Sequence, residues 1–169
     1  IENLSARLSH AGCAVETFEL PTPFDQAHHV HETIYRRALA YYFKLEWGKF
    51  RHQFSDTLSA MIETGLAIPP ENYLAATREQ SRLAGVLDEA LKRFDVVISP
   101  ATADEAPVGL DTPDIEDHNL VWTMCHLPSI TVPLLRGTTG LPVGVQIDAR
   151  RFNDYIALQF AEFLDTLEK

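Results

Sequence analysis

The sequence predicts an α/β protein in which helices pack on a mixed or parallel β-sheet. Three observations predict it: long stretches of helical apolar periodicity, short apolar runs bounded by Gly and Pro, and an ordinary globular composition. Of 169 residues, 46% are hydrophobic and 22% charged, far from the composition of disordered chains. The length fits one domain. No repeat, low-complexity tract or shift in composition divides residues 1–169.

The elements follow in order. Leu4, Leu8 and Ala11 form a helical stripe that stops at Gly12, a residue suited to a helix C-cap. Residues 14–20 alternate with period two and end at Pro21, which predicts a strand. Helix, Gly and strand together read as the second half of an α/β unit. Residues 24–50 are helical in pattern, with Ala27, Ile34, Ala38, Leu39, Tyr42, Phe43, Trp47 and Phe50 on the apolar face. A second helix is expected over residues 56–64, stopping at Gly65. Pro69 and Pro70 open a third, packed through Tyr73, Ala76, Leu83, Val86, Leu87, Ala90 and Leu91.

Residues 94–98 form a mostly apolar run closed by Ser99 and Pro100, the pattern of a buried central strand. Residues 100–118 are rich in Pro, Gly, Asp and Thr and predict a surface loop. A short helix is expected around residues 119–125. Two strands, 129–134 and 142–147, flank a turn at 136–140, and residues 153–167 close the chain as a helix. Gly140 and Gly144 suit that turn and close sheet packing, not phosphate binding, since no Gly-rich strand-to-helix loop accompanies them.

The formal net charge of -10 opposes attraction to phosphate backbones and anionic membranes. The basic pairs Arg36, Arg37 and Arg150, Arg151 make no stripe. Nucleic acid and membrane partners are therefore not expected, and no run approaches the roughly 20 apolar residues that span a bilayer. The chain begins at Ile1 without Met or a signal segment, so it is expected to be a piece of something longer. Cys13 and Cys125 suit a reduced, cytoplasmic protein with two buried thiols.

Several residues invite a chemical reading. His28, His31 and Glu32 share a helix, but Tyr35 stands where a zinc peptidase motif needs His. Asp111, Asp114, Glu116 and Asp117 depart from calcium-loop spacing and include Pro113. Cys125 and His126 are adjacent, whereas a thiol nucleophile and its base usually meet across separate elements. No metal and no cofactor are expected.

The chain from Phe94 onward resembles the amidase signature family of amidohydrolases. The resemblance is carried by Ser99, Pro100 and Ala101 after an apolar strand, then Asn119, Trp122 and Thr123, Leu127 and Pro128, and Pro133. Gly140, Leu141, Pro142, Gly144, Val145 and Gln146 follow, then Arg151, Phe152 and Asp154. Earlier residues resemble the family more loosely. The resemblance implies an amidase-type α/β/α fold, a mixed β-sheet flanked by helices, and action on carboxamide C–N bonds. It also implies a Ser nucleophile relayed through a second Ser to a Lys, because a hydroxyl needs a base to attack at neutral pH.

No Gly/Ser-rich stretch carries such a relay here, and Lys44, Lys49, Lys92 and Lys169 match no base context. Ser99 to Ala101 replaces the family's Thr-Pro-Thr, and Asp104 with Glu105 interrupts a Pro-rich loop. The expectation is therefore a C-terminal portion only of an amidase, incomplete without an N-terminal half. That segment would supply sheet and pocket wall without catalytic residues, with an amidase-derived scaffold as the alternative. The expected partners are the missing N-terminal half, a small-molecule amide in the complete enzyme, and a second copy through self-association. The resemblance sets the helix carrying Asn119, Trp122, Thr123 and Cys125 near the substrate pocket, while each also has a structural reading as cap, core or buried thiol.

Overall fold

A computed structural model describes residues 1–109 and 119–167. The expected acidic loop with Asp111, Asp114, Glu116 and Asp117 lies outside the described residues. The chain divides into two compact units, one formed by residues 1–21 and 86–169 and the other by residues 22–85.

The first unit is built on a three-stranded sheet of β1 (Val97–Pro100), β2 (Ser129–Arg136) and β3 (Pro142–Asp148), in the order β1-β3-β2. Both pairings are antiparallel. This corrects the expected mixed sheet, and it moves the run at 94–98 from centre to edge. The central strand among the described residues is β3. Its Val-Gly-Val-Gln-Ile-Asp sequence mixes apolar and polar residues, so continuous apolarity was the wrong criterion for centrality.

Period two sorts β3 onto two faces. Val145 and Ile147 point into the core with Ile98, Ile130 and Val132 packed around them. Leu4 and Leu8 of α1 (Glu2–His10) and Ala157 and Leu164 of α7 (Asp154–Leu167) cover that face. Arg7 Nη2 donates to the Leu167 carbonyl at 2.8 Å, setting a cation at the negative end of α7. Gly144, on the other face, has Thr131 Cγ2 2.4 Å and Ala101 Cβ 3.0 Å from where its own Cβ would stand. Between Val132 and Leu135 the β2 register shifts at Pro133, which has no N–H for the ladder.

α1 ends as expected. Gly12 takes φ +91°, its N–H reaches Ser9 O at 3.1 Å, and Cys13 N–H reaches Leu8 O at 3.0 Å, the paired bonds of a Schellman cap. Residues 14–20 form no strand, which corrects the strand prediction. Alternation creates a strand only where a neighbour takes its hydrogen bonds, and here six of the seven side chains are exposed. Phe18 alone turns inward, meeting Phe94 edge-on at 5.6 Å and Trp122 at 6.4 Å.

In the second unit a 3₁₀ turn at Thr22–Gln26 leads into α2 (Ala27–Tyr42), then α3 (Lys44–Phe50) and α4 (Asp56–Ala67). The single helix expected over 24–50 thus breaks at Phe43, and its apolar face is only partly buried: Tyr42 is 76% exposed. Ser55 caps α4 by accepting from Leu58 N–H. Gly65 does not stop α4 but lies buried within it. A Cβ there would stand 2.0 Å from Arg36 O of α2, so a bare residue lets the two helices approach. α5 (Pro70–Ala90) opens at its proline; Ala76, Leu83 and Ala84 are buried in its part of this unit, and Leu87 is buried within the first unit.

Candidate functional site

The expected helix forms as α6 (Leu120–Met124), with Asn119 at its N-cap position. Asn119 Nδ2 donates to Ala101 O at 2.8 Å, tying the helix start to the segment after β1. Trp122, Met124 and Cys125 are buried, whereas Thr123 faces outward. The four expected site residues therefore divide: Asn119 holds a loop, Trp122 and Cys125 are core, and Thr123 is accessible. Burial pushes the Cys125 thiol up to about 11, against a weaker opposing pull from Arg151. At neutral pH it is a thiol, not a thiolate nucleophile. His126 takes φ 58° and closes the helix, its N–H reaching Thr123 O at 3.0 Å while Leu127 N–H reaches Trp122 O at 3.1 Å.

Directly after α6, the chain enters the polar face of the sheet, where a cluster lies that sequence patterning did not reveal. Asp148 is fully buried and Gln146 nearly so. Gln146 Nε2 donates to both Asp148 carboxylate oxygens at 3.0 Å, and Ser129 Oγ donates to Asp148 Oδ1. Ser99 is the register partner of Gln146 on β1. Its Oγ is buried without a hydrogen-bond partner among the described residues. Burial raises the Asp148 carboxyl above its ordinary range, with the bonds from Ser129 and Gln146 opposing. The cluster runs from a buried carboxyl to Ser129, which is exposed. The available signal was the alternation Gly144, Gln146, Asp148, which sets three non-apolar residues on one face of a strand.

Just past β3, Arg150 grips Asp88 in a two-pronged pair, Nη2 to Oδ2 at 2.8 Å and Nε to Oδ1 at 3.2 Å. The guanidinium holds the Asp88 carboxyl below its usual range.

The other sequence candidates go elsewhere. His31 stacks on Tyr35 at 5.7 Å, Glu32 pairs with Arg36, and His28 is exposed. Lys44 lies over the Tyr41 ring at 4.7 Å, and Lys92 pairs with Glu89 at 2.6 Å. Lys49 lines an open hollow of about 540 Å³ with Arg51, His52 and Ser59. Among the described residues, no group of three or more His, Cys, Asp or Glu is placed to hold a metal ion. Among the same residues, no helix is long and apolar enough to cross a membrane.

The Amidase family model matches residues 1–158. The chain belongs to that family. It is 31% identical over 98 residues to a glutamyl-tRNA(Gln) amidotransferase subunit of Endomicrobium trichonymphae, covering 56% of this chain and 20% of that protein. It is 28% identical over 108 residues to a fatty acid amide hydrolase of Oryza sativa subsp. indica, covering 57% and 18%. A solved amidase superposes with a TM-score of 0.86 at 21% identity, over 98% of this chain and 40% of that one. A 6-aminohexanoate cyclic dimer hydrolase does so with 0.81 at 19% identity, over 98% and 40%.

These matches correct the expectation of a C-terminal portion only. The family match starts at residue 1 and runs through both compact units, and the amidase fold is shared along nearly the whole chain. The description as an incomplete part of the fold, supplying only sheet and pocket wall, is withdrawn. So are the missing N-terminal half as partner and the self-association argued from its loss. The motif residues begin at Ser99, whereas the family match begins at residue 1. The chain spans about a fifth of the length of these curated relatives and about two-fifths of the solved ones.

Proposed function

We propose that the protein is an amidase-type hydrolase that cleaves the C–N bond of a small-molecule carboxamide. The family match over residues 1–158 carries this reading. The activities of two relatives support it, a fatty acid amide hydrolase and a 6-aminohexanoate cyclic dimer hydrolase. Residues 1–169 act in this reading as a single segment of an amidase-like domain. Asn119, Trp122, Thr123 and Cys125 form its substrate-pocket candidates in distinct roles. Thr123 is the accessible hydroxyl, Trp122 and Cys125 fix the helix from beneath, and Asn119 fixes its start. A cytoplasmic location goes with this reading, favoured by two free cysteines.

The test is release of amine or ammonia from aryl, alkyl and cyclic amides by the purified protein at its natural length, with Thr123→Ala and Asn119→Ala alongside. Turnover that both substitutions weaken, with the fold intact, supports the assignment. A folded protein that hydrolyses none of the amides refutes it.

A further inference from the structure

The turn joining β2 to β3 holds a carboxylate. Glu105 reaches across from the segment after β1 and places Oε1 3.0 Å from Thr139 N and 3.1 Å from Gly140 N, with Oε2 3.1 Å from Thr139 N. Thr139 Oγ1 donates to Oε2 as well. Two successive backbone N–H groups converging on one anion form a nest, a concavity that favours negative charge. The turn is shaped for this occupant. A Cβ on Gly137 would stand 2.0 Å from Glu105 Cγ and Oε1, so only glycine leaves room for the carboxylate. Arg136 Nη1 donates to Gly140 O at 3.1 Å and brings a guanidinium to the same turn.

The segment that delivers Glu105 is held at its other end too. Ala101 N–H donates to Gly144 O at 2.9 Å, and Ala101 O accepts from Asn119. In between, Asp104 Oδ1 accepts from Glu105 N–H at 2.8 Å, and Thr102 Oγ1 donates to Asp104 O at 2.8 Å.

We infer that the β2–β3 turn is a receptor for a small carboxylate, and that Glu105 is its tethered occupant, latching residues 101–105 onto the hairpin. Tethering gives Glu105 a high effective concentration, so a free carboxylate competes poorly in the intact protein. Once the tethered carboxylate is removed, the same donors bind a free one. This does not depend on amide hydrolysis, and its failure leaves that reading untouched.

The experiment follows the backbone amide NMR signals of Thr139 and Gly140 in the full chain. Sodium acetate is added against sodium chloride of equal ionic strength. Glu105→Ala is expected to give saturable acetate shifts at both amides, the unaltered protein almost none, and Glu105→Gln an intermediate response. Limited proteolysis within residues 101–109 is expected to quicken about tenfold or more in Glu105→Ala, the scale of losing charge-assisted hydrogen bonds, and not to slow with acetate, which fills the nest without tethering the segment. Should Glu105→Ala not fold, Thr139→Val removes one donor and is expected to quicken the same cleavage more modestly. Shifts from acetate no larger than from chloride, or cleavage unchanged in the variants, would overturn the inference.

Discussion

Ser129 and Asp148 are register partners across β2 and β3, and the Ser129 hydroxyl donates to the Asp148 carboxylate. The bond joins an exposed residue to a fully buried one. It also identifies a carboxyl whose charge is disfavoured by its surroundings. The Asp148 carboxyl is raised in the folded state, so between its unfolded and folded values the folded chain binds more protons. Its ionisation therefore removes stability as pH rises through the folded value.

Asp148→Asn is expected to retain or raise stability at pH 8 and to flatten this slope, because the amide keeps an acceptor for Ser129. Asp148→Ala is expected to cost about 1–3 kcal/mol by leaving the buried Gln146 amide without its partner. Urea unfolding at pH 5 and pH 8 distinguishes them. Equal loss in both variants would show that the carboxyl's charge is needed.

Asp88 has the opposite sign. Arg150 lowers its carboxyl, so this stabilisation is present above the unfolded value and fades as pH falls through the folded one. Asp88→Asn is expected to lower stability at pH 7 only modestly, as solvent screens a partly exposed pair, and Arg150→Lys in the same direction, because lysine cannot form the two-pronged contact. The difference from the unaltered protein should shrink in acid. A loss independent of pH would mean that packing, and not charge, explains the pair.

Two helical glycines should answer oppositely to alanine. Gly65→Ala places a methyl group against Arg36 O and should lower stability by about 1–3 kcal/mol despite better helix propensity. Gly85, within α5, has nothing within 4 Å of its Cβ position, and Gly85→Ala should raise stability by about 0.5–1 kcal/mol. Thermal melts of both variants check the pair.

The thiols should also separate. Cys13 is half-buried and Cys125 fully buried, which corrects the expectation of two buried thiols. With its thiol raised to about 11, Cys125 should react with a thiol reagent only on unfolding, while Cys13 reacts in the native protein. Fast native labelling of both would show that α6 opens readily.

Much of this architecture was legible where the signal is local. The opening of α5 at Pro70, the β2–β3 hairpin, the Gly12 cap and the closing helix α7 each follow from neighbouring residues. Partner-dependent features were not. Residues 14–20 alternate like a strand but have no neighbour to pair with, and Gly65 looks like a stop until Arg36 is seen against it. The sheet direction was misread because apolarity says how a strand is buried, not which way its neighbour runs. At the candidate site, α6 was visible through Asn119, Trp122 and Thr123. Ser129, Gln146 and Asp148 were not, because their meeting depends on the register between two strands.

The central claim, that the protein hydrolyses carboxamides, is tested most directly by following the fate of water. The protein is incubated with an aryl amide in heavy-oxygen water, and the acid product is weighed by mass spectrometry. The expected result is stoichiometric amine together with an acid carrying one heavy oxygen from solvent, at a rate reduced at least severalfold by Thr123→Ala and by Asn119→Ala. Unchanged amide after prolonged incubation with demonstrably folded protein, or amine release without solvent oxygen in the acid, would contradict it.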